Sequence, residues 1–197
     1  QSFGVPCLPR PVSHSNDWIK PLLDSGANGL IAPLVSTISQ SQNLVDLLKF
    51  PPLGKRSFGV NRAHGYGSLF AEYLSNWNSD SIYIAQIETK EAVLNIEEIL
   101  STPEIDGVMI GPYDLSGSLG VPGQIQSPLV AEAERAVIMA CKKMGKSCGT
   151  QIANFNEGNL QKGISMGYNF IVASSDLFVL NSWAEEAELL VKKYSNE

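Results

Sequence analysis

No run of this sequence stays apolar for the ~20 residues that a bilayer-crossing helix needs. No run is basic enough to mark a nucleic-acid or anionic-lipid surface either. The net charge is −6, from 14 Lys and Arg against 20 Asp and Glu. The expectation is a soluble protein with neither nucleic acid nor membrane as a partner. Histidine is scarce, with only His14 and His64 present. The three cysteines, Cys7, Cys141 and Cys148, form no C-x-x-C pair. These residues fit no zinc-site spacing. An odd number of cysteines in a chain of 197 residues argues against a disulfide scaffold. The thiols read as buried side chains in a reducing compartment, the cytoplasm. Glycine-rich phosphate turns are missing too: there is no G-x-G-x-x-G and no G-x-x-x-x-G-K-[ST]. That removes the usual mark of an open nucleotide-binding sheet.

What is present is a single domain's worth of apolar material, 44% of 197 residues, with no linker and no low-complexity stretch. Short apolar runs alternate with helical patterns. The runs are Val5 to Leu8, Gly29 to Leu34, Ile82 to Ile87, Gly107 to Ile110, Lys146 to Ile152 and Phe170 to Ala173. Helices are expected from Asn16 or Asp17 to Ser25, Thr37 to Leu48, Ser68 to Trp77, Thr89 to Leu100, Pro128 to Met144, Asn156 to Met166 and Leu180 to Tyr194. Strands of this kind, without period-2 alternation, suit a parallel sheet buried on both faces. Polar residues cluster at the carboxyl ends of several strands, as in a (βα)8 TIM barrel.

Four of those strand-end residues carry candidate chemistry. Arg10 follows the first run, Gln86 and Glu88 close the third, and Asp114 lies just past the fourth. Alternation puts Gln86 and Glu88 on one face of their strand. Two carboxylates at neighbouring strand ends repel unless a cation joins them. Oxygen ligands with room for water suit Mg²⁺ or Mn²⁺. The turn Gly111-Pro112-Tyr113-Asp114 can present free N–H groups to an anion. Each residue also has a plainer role. Glu88 can cap the helix at Thr89, Asp114 can be an N-cap, Arg10 can pair at the surface, and Gln86 can bond a neighbouring strand.

The segments CLPRPV, PLLDSGANGLIAPLV, PPLGKRSFG, AQIETKEAVLNIEEIL, IDGVMIGPYDLSGSLG and GYNFIVASSD resemble, in order and across nearly the whole chain, the HpcH/HpaI aldolase family. The resemblance implies a metal-dependent (class II) pyruvate aldolase on a (βα)8 barrel. It makes Arg10 the stabiliser of the pyruvate enolate and Glu88 and Asp114 the metal ligands. Gln86 becomes a substrate contact, and Tyr113 the residue whose backbone N–H meets the pyruvate carboxylate, where the family more often has a small residue. Asp24 in LLDSGA matches an acidic residue supporting a catalytic histidine. The metal implied is Mg²⁺ or Mn²⁺, with Co²⁺ as a further candidate. The resemblance also implies homo-oligomers, trimers or hexamers, with the C-terminal helix, about residues 180–195, exchanged between subunits.

The chain departs from the family in two ways. The family's general base is a histidine in a D-G-E-H-type motif, which is absent here. His64 is expected to face solvent or a pocket rim. His14 is expected to stay out of the chemistry. The chain also shows six βα units against the eight of a barrel. Its first run resembles the family's third strand, so residues 1–197 read as one incomplete barrel domain. Two further units, ~60 residues, would precede Gln1 and carry the histidine. The expected reaction is reversible cleavage of a 4-hydroxy-2-oxo acid to pyruvate and an aldehyde. The alternatives are a citrate-lyase-β-like lyase of CoA thioesters, using a sparse patch of Lys49, Lys55 and Arg56, and a non-catalytic homologue that keeps metal and oxo-acid binding.

Overall fold

The computed structural model describes residues 3–195. Within them, helices and strands alternate as α1 Asn16–Asp24, β1 Gly29–Ala32, α2 Ile38–Leu48, α3 Phe70–Asp80, β2 Ile82–Ile87, α4 Lys90–Leu94, α5 Ile96–Leu100 and β3 Gly107–Ile110. The series continues with α6 Pro112–Ser118, α7 Pro128–Met144, β4 Ser147–Ile152, α8 Glu157–Met166, β5 Phe170–Ala173 and α9 Asp176–Ser195. A 3-10 segment, Arg62–Gly67, precedes α3. The five strands are all parallel and stand in the order β1-β2-β3-β4-β5. A doubly wound sheet reverses its order at a switch point. This sheet never does, so successive strands step one way and the sheet curls as a half-barrel.

Local chemistry accounts for most element boundaries. Thr37 and Gln40 form a reciprocal capping box at the start of α2. Ser127 caps α7, Pro128 takes its first position, and Gly145 ends it with φ 66°. One face of α7, with Val130, Ala133, Val137, Ala140 and Cys141 buried, lies against the sheet. The strands are buried on both faces at the centre, where all four residues of β3 are buried. The sheet's other contributions to the core include Leu30, Ala32, Tyr83, Ala85 and Ile87.

Three expectations need correction. The run Val5 to Leu8 is extended but is not a strand, so the sheet has five strands rather than six. It does lie beside β1, where the Asn28 N–H donates to the Cys7 carbonyl and the Ile31 N–H to the Pro9 carbonyl. Pro9 has no N–H to return, so the ladder stays open. The helix expected from Thr89 to Leu100 is divided at Asn95, whose side chain donates to the Ser36 carbonyl at 2.9 Å. Cys141 and Cys148 are buried as expected, but Cys7 is exposed.

Candidate active site at the carboxyl ends of the strands

Strand register builds the site. Ile87 of β2 is level with Ile110 of β3, so the next residues, Glu88 and Gly111, face one another just beyond the sheet. A Cβ on Gly111 would stand 2.6 Å from Glu88 Oε1 and 2.8 Å from its Cγ. The missing side chain makes the space that the Glu88 carboxylate occupies. Gln86 and Glu88 are each 3% exposed. The Arg10 guanidinium donates to Gln86 Oε1 at 3.4 Å, and Gln86 Nε2 donates to Glu88 Oε1 at 2.7 Å. The second carboxylate oxygen, Oε2, accepts the Leu34 N–H at 3.0 Å. Asp114, in the first turn of α6, brings its carboxylate within hydrogen-bonding reach of Glu88.

This arrangement is electrostatically costly. Burial pushes the Glu88 carboxyl above its ordinary value, and the Asp114 carboxylate adds to the rise. The Leu34 N–H and the Arg10 guanidinium pull in the other direction without cancelling it. A cleft of about 320 Å³ opens here, lined by Arg10, Pro11, Val12, Pro33, Leu34, Glu88 and Asp114. Among the described residues no group of three or more His, Cys, Asp and Glu side chains converges. The donor set is therefore two carboxylates with open space before them. That fits a hard divalent cation that keeps several waters or takes ligands from its substrate.

Of the residues singled out from sequence, Arg10, Gln86, Glu88 and Asp114 come together. Tyr113 stands beside them at the start of α6, 62% exposed. Asp24 does not join them. It ends α1 before the chain enters β1 at Gly29, at the opposite end of the sheet. There it pairs with Lys20 Nζ at 2.7 Å and Arg56 Nη2 at 3.1 Å. Arg56 is itself buried against the rings of Phe50, Tyr73 and Trp77. His64 is not at the surface but buried. Its ring ties the loop together through the Gly67 N–H and the Gly59 carbonyl. The candidate CoA patch dissolves as well: Lys49 is buried on the Asn78 and Ser81 carbonyls, Arg56 is enclosed, and Lys55 pairs with Asp46.

Two residues of the site escape sequence reasoning. Leu34 adopts φ 53°, a conformation that costs a leucine about 1–2 kcal/mol. Nothing in its residue type announces this. Gly111 is visible as a turn residue, but its role against Glu88 needs the register.

Comparison with known proteins decides the kinship. The HpcH/HpaI aldolase/citrate lyase family matches residues 5–181. The chain belongs to the HpcH/HpaI aldolase/citrate lyase family. By family it stands with the carbon–carbon lyases. It is 37% identical over 187 residues to a hydroxypyruvate/pyruvate aldolase of Rhizorhabdus wittichii, covering 92% of this chain and 71% of that one. It is 36% identical over 169 residues to a 2-keto-3-deoxy-L-rhamnonate aldolase of Salmonella schwarzengrund, covering 85% and 62%. The chain thus spans less than two thirds of the second relative's length. Among solved structures, an HpcH/HpaI aldolase/citrate lyase family protein of Burkholderia cenocepacia superposes with TM-score 0.86 at 30% identity, covering 93% of this chain and 72% of that one.

Proposed function

We propose that this chain provides five parallel strands of a (βα)8 barrel that reversibly cleaves a 4-hydroxy-2-oxo acid to pyruvate and an aldehyde. The observation that carries this reading is the unbroken line of hydrogen bonds Arg10–Gln86–Glu88, with Asp114 facing Glu88, at the carboxyl ends of parallel strands. Barrel active sites are built at that end. Glu88 and Asp114 would hold Mg²⁺ or Mn²⁺, which when bound would supply Lewis-acid polarisation of the 2-oxo group.

The chain's own residues do the rest. In the cleavage direction the C4 hydroxyl loses its proton, the C3–C4 bond breaks, and the aldehyde leaves. The bonding electron pair passes to C3 and the C2 oxygen as an enolate. The Arg10 guanidinium stabilises that oxygen. Gln86 holds Arg10 on one side and Glu88 on the other, and contacts the oxo acid. Pro112 has no N–H, so the first-turn donors of α6 offered to the substrate carboxylate are those of Tyr113 and Asp114. Protonation of C3 then yields pyruvate. We assign the base that takes the hydroxyl proton to the part of the barrel that these five strands do not supply. Asp24, paired with Arg56 in this structure, serves it at most from a distance.

Full-length protein with Mg²⁺ or Mn²⁺ should exchange the methyl protons of pyruvate with D₂O, read by proton NMR. Exchange with neither metal overturns the reading. A CoA-thioester lyase draws no support from Lys49, Lys55 and Arg56, which are engaged with the Ser81 carbonyl, Asp46 and Asp24. Binding of Mn²⁺ and oxalate without any exchange would instead identify a non-catalytic homologue. We also read α9 as the helix exchanged between subunits of a homo-oligomer, because none of its 20 residues is buried.

A further inference from the structure

We propose that His14 is a positioning residue for Glu88, acting through the peptide bond between Pro33 and Leu34. The inference deepens the proposed site and rests on Glu88 being a metal ligand. His14 Nε2 lies 2.5 Å from the Pro33 carbonyl oxygen. A carbonyl oxygen only accepts, so Nε2 carries the proton and donates. The N–H of the same peptide unit belongs to Leu34, and it donates to Glu88 Oε2 at 3.0 Å. The peptide group is planar and rigid. Fixing its oxygen therefore fixes the direction in which its N–H points.

This peptide needs holding. Leu34 sits at φ 53°, and the residue is 53% exposed, so packing does not pin it there. What pins it are hydrogen bonds: His14 and Glu88 on the two ends of one peptide, and the next N–H, from Val35, on the Gln86 carbonyl at 3.2 Å. His14 is well placed to serve as an anchor. It is half-buried, and the adjacent Ser15 caps α1 by accepting the Asp17 N–H at 3.2 Å. The Glu88 carboxylate is thus oriented from two sides. One oxygen is held by Gln86 and, behind it, Arg10. The other is held by Leu34 and, behind it, His14. Partners of this kind behind a ligand commonly set metal affinity by 10–100-fold.

The test is Mn²⁺ binding to the full-length protein, followed by the EPR signal of free Mn²⁺, with metal-free melting temperatures measured in parallel. His14→Phe keeps the ring and removes the donor. His14→Leu does the same with a smaller group, should the phenyl ring disturb folding. His14→Gln places an amide N–H where Nε2 stood. The expected result is a Kd about 10-fold weaker in the Phe and Leu variants and within about 3-fold of wild type in the Gln variant, with similar melting temperatures. Wild-type Mn²⁺ affinity in His14→Phe and His14→Leu, alongside loss of binding in Glu88→Gln, overturns the role of His14 and leaves the metal site standing. Equal loss in the Gln and Phe variants overturns it as well, because the donor is then not what matters. Wild-type affinity in Glu88→Gln overturns the metal site itself, and the inference with it.

Discussion

Glu88 shows how one residue carries opposing demands. It is buried, it faces a second carboxylate, and its carboxyl is raised above the ordinary range as a result. A cation must displace that proton to bind. Mn²⁺ affinity is therefore expected to weaken as pH falls through the raised value, since protonation competes with the metal; titrations at several pH values check this. In the metal-free protein the sign is reversed. A raised carboxyl pKa adds stability below its unfolded value of 4.5, which is lost as pH rises through the folded value. Glu88→Gln and Asp114→Asn should each reduce metal-dependent exchange of pyruvate protons by about 100-fold or more. Arg10→Ala should lower turnover at saturating Mn²⁺ by a similar factor of about 100, beyond the roughly 10-fold loss of Mn²⁺ affinity expected from its place behind Gln86, because it also stabilises the enolate oxygen. Retained exchange in Arg10→Ala would remove it from the mechanism. All four converging residues were legible as strand-end polar groups. The backbone of Leu34 was not, because a leucine gives no sign of a left-handed turn until its neighbours require one.

Elements place these residues, and their junctions are sensitive. The register between β2 and β3 sets Gly111 opposite Glu88, with only 2.6 Å for an added Cβ. Gly111→Ala should leave the fold and far-ultraviolet spectrum unchanged and cut Mn²⁺ affinity at least about 10-fold by displacing the carboxylate. The other end of α1 makes a contrasting case. Asp24 neutralises Arg56, whose side chain is only 2% exposed within its aromatic surround. Asp24→Asn leaves that charge unpaired and should cost about 2–3 kcal/mol in denaturant unfolding, less than a fully buried pair because Asp24 is 21% exposed. Turnover per folded molecule should stay near wild type. A fall in turnover without a fall in stability would return Asp24 to the chemistry. Helix limits were readable where caps and glycines mark them, as in α2 and α7. The first run failed as a strand because Pro6 within it and Pro9 just after it have no N–H to give a ladder.

On the scale of the whole molecule, the half-barrel has unsatisfied surfaces. Beside β1 the segment through Pro9 closes only part of a ladder, while β5 ends the sheet at the other side. Helix α9 shows Leu177, Phe178, Leu180, Trp183, Leu190 and Tyr194 at 45–74% exposed. A patch of that kind ordinarily marks an interface. The full-length protein should accordingly run as an oligomer by light scattering. Replacing Trp183 and Leu190 with glutamate should shift it toward monomer. An unchanged mass would show that α9 does not hold the subunits together.

The sequence by itself determined the alternation of elements, the parallel sheet, and the strand-end carboxylates with their arginine and glutamine. These follow from short-range hydrophobic pattern, capping chemistry and position along a strand. Only the tertiary structure decided that Glu88 and Asp114 share one cleft while Asp24 lies at the far end, that His64 is buried, and that His14 reaches the Pro33 carbonyl. The first and last of these depend on register, sheet curl and one strained peptide, and join residues whose separation along the chain leaves no local trace; His64 is held by near neighbours, through a loop geometry that residue types alone do not announce.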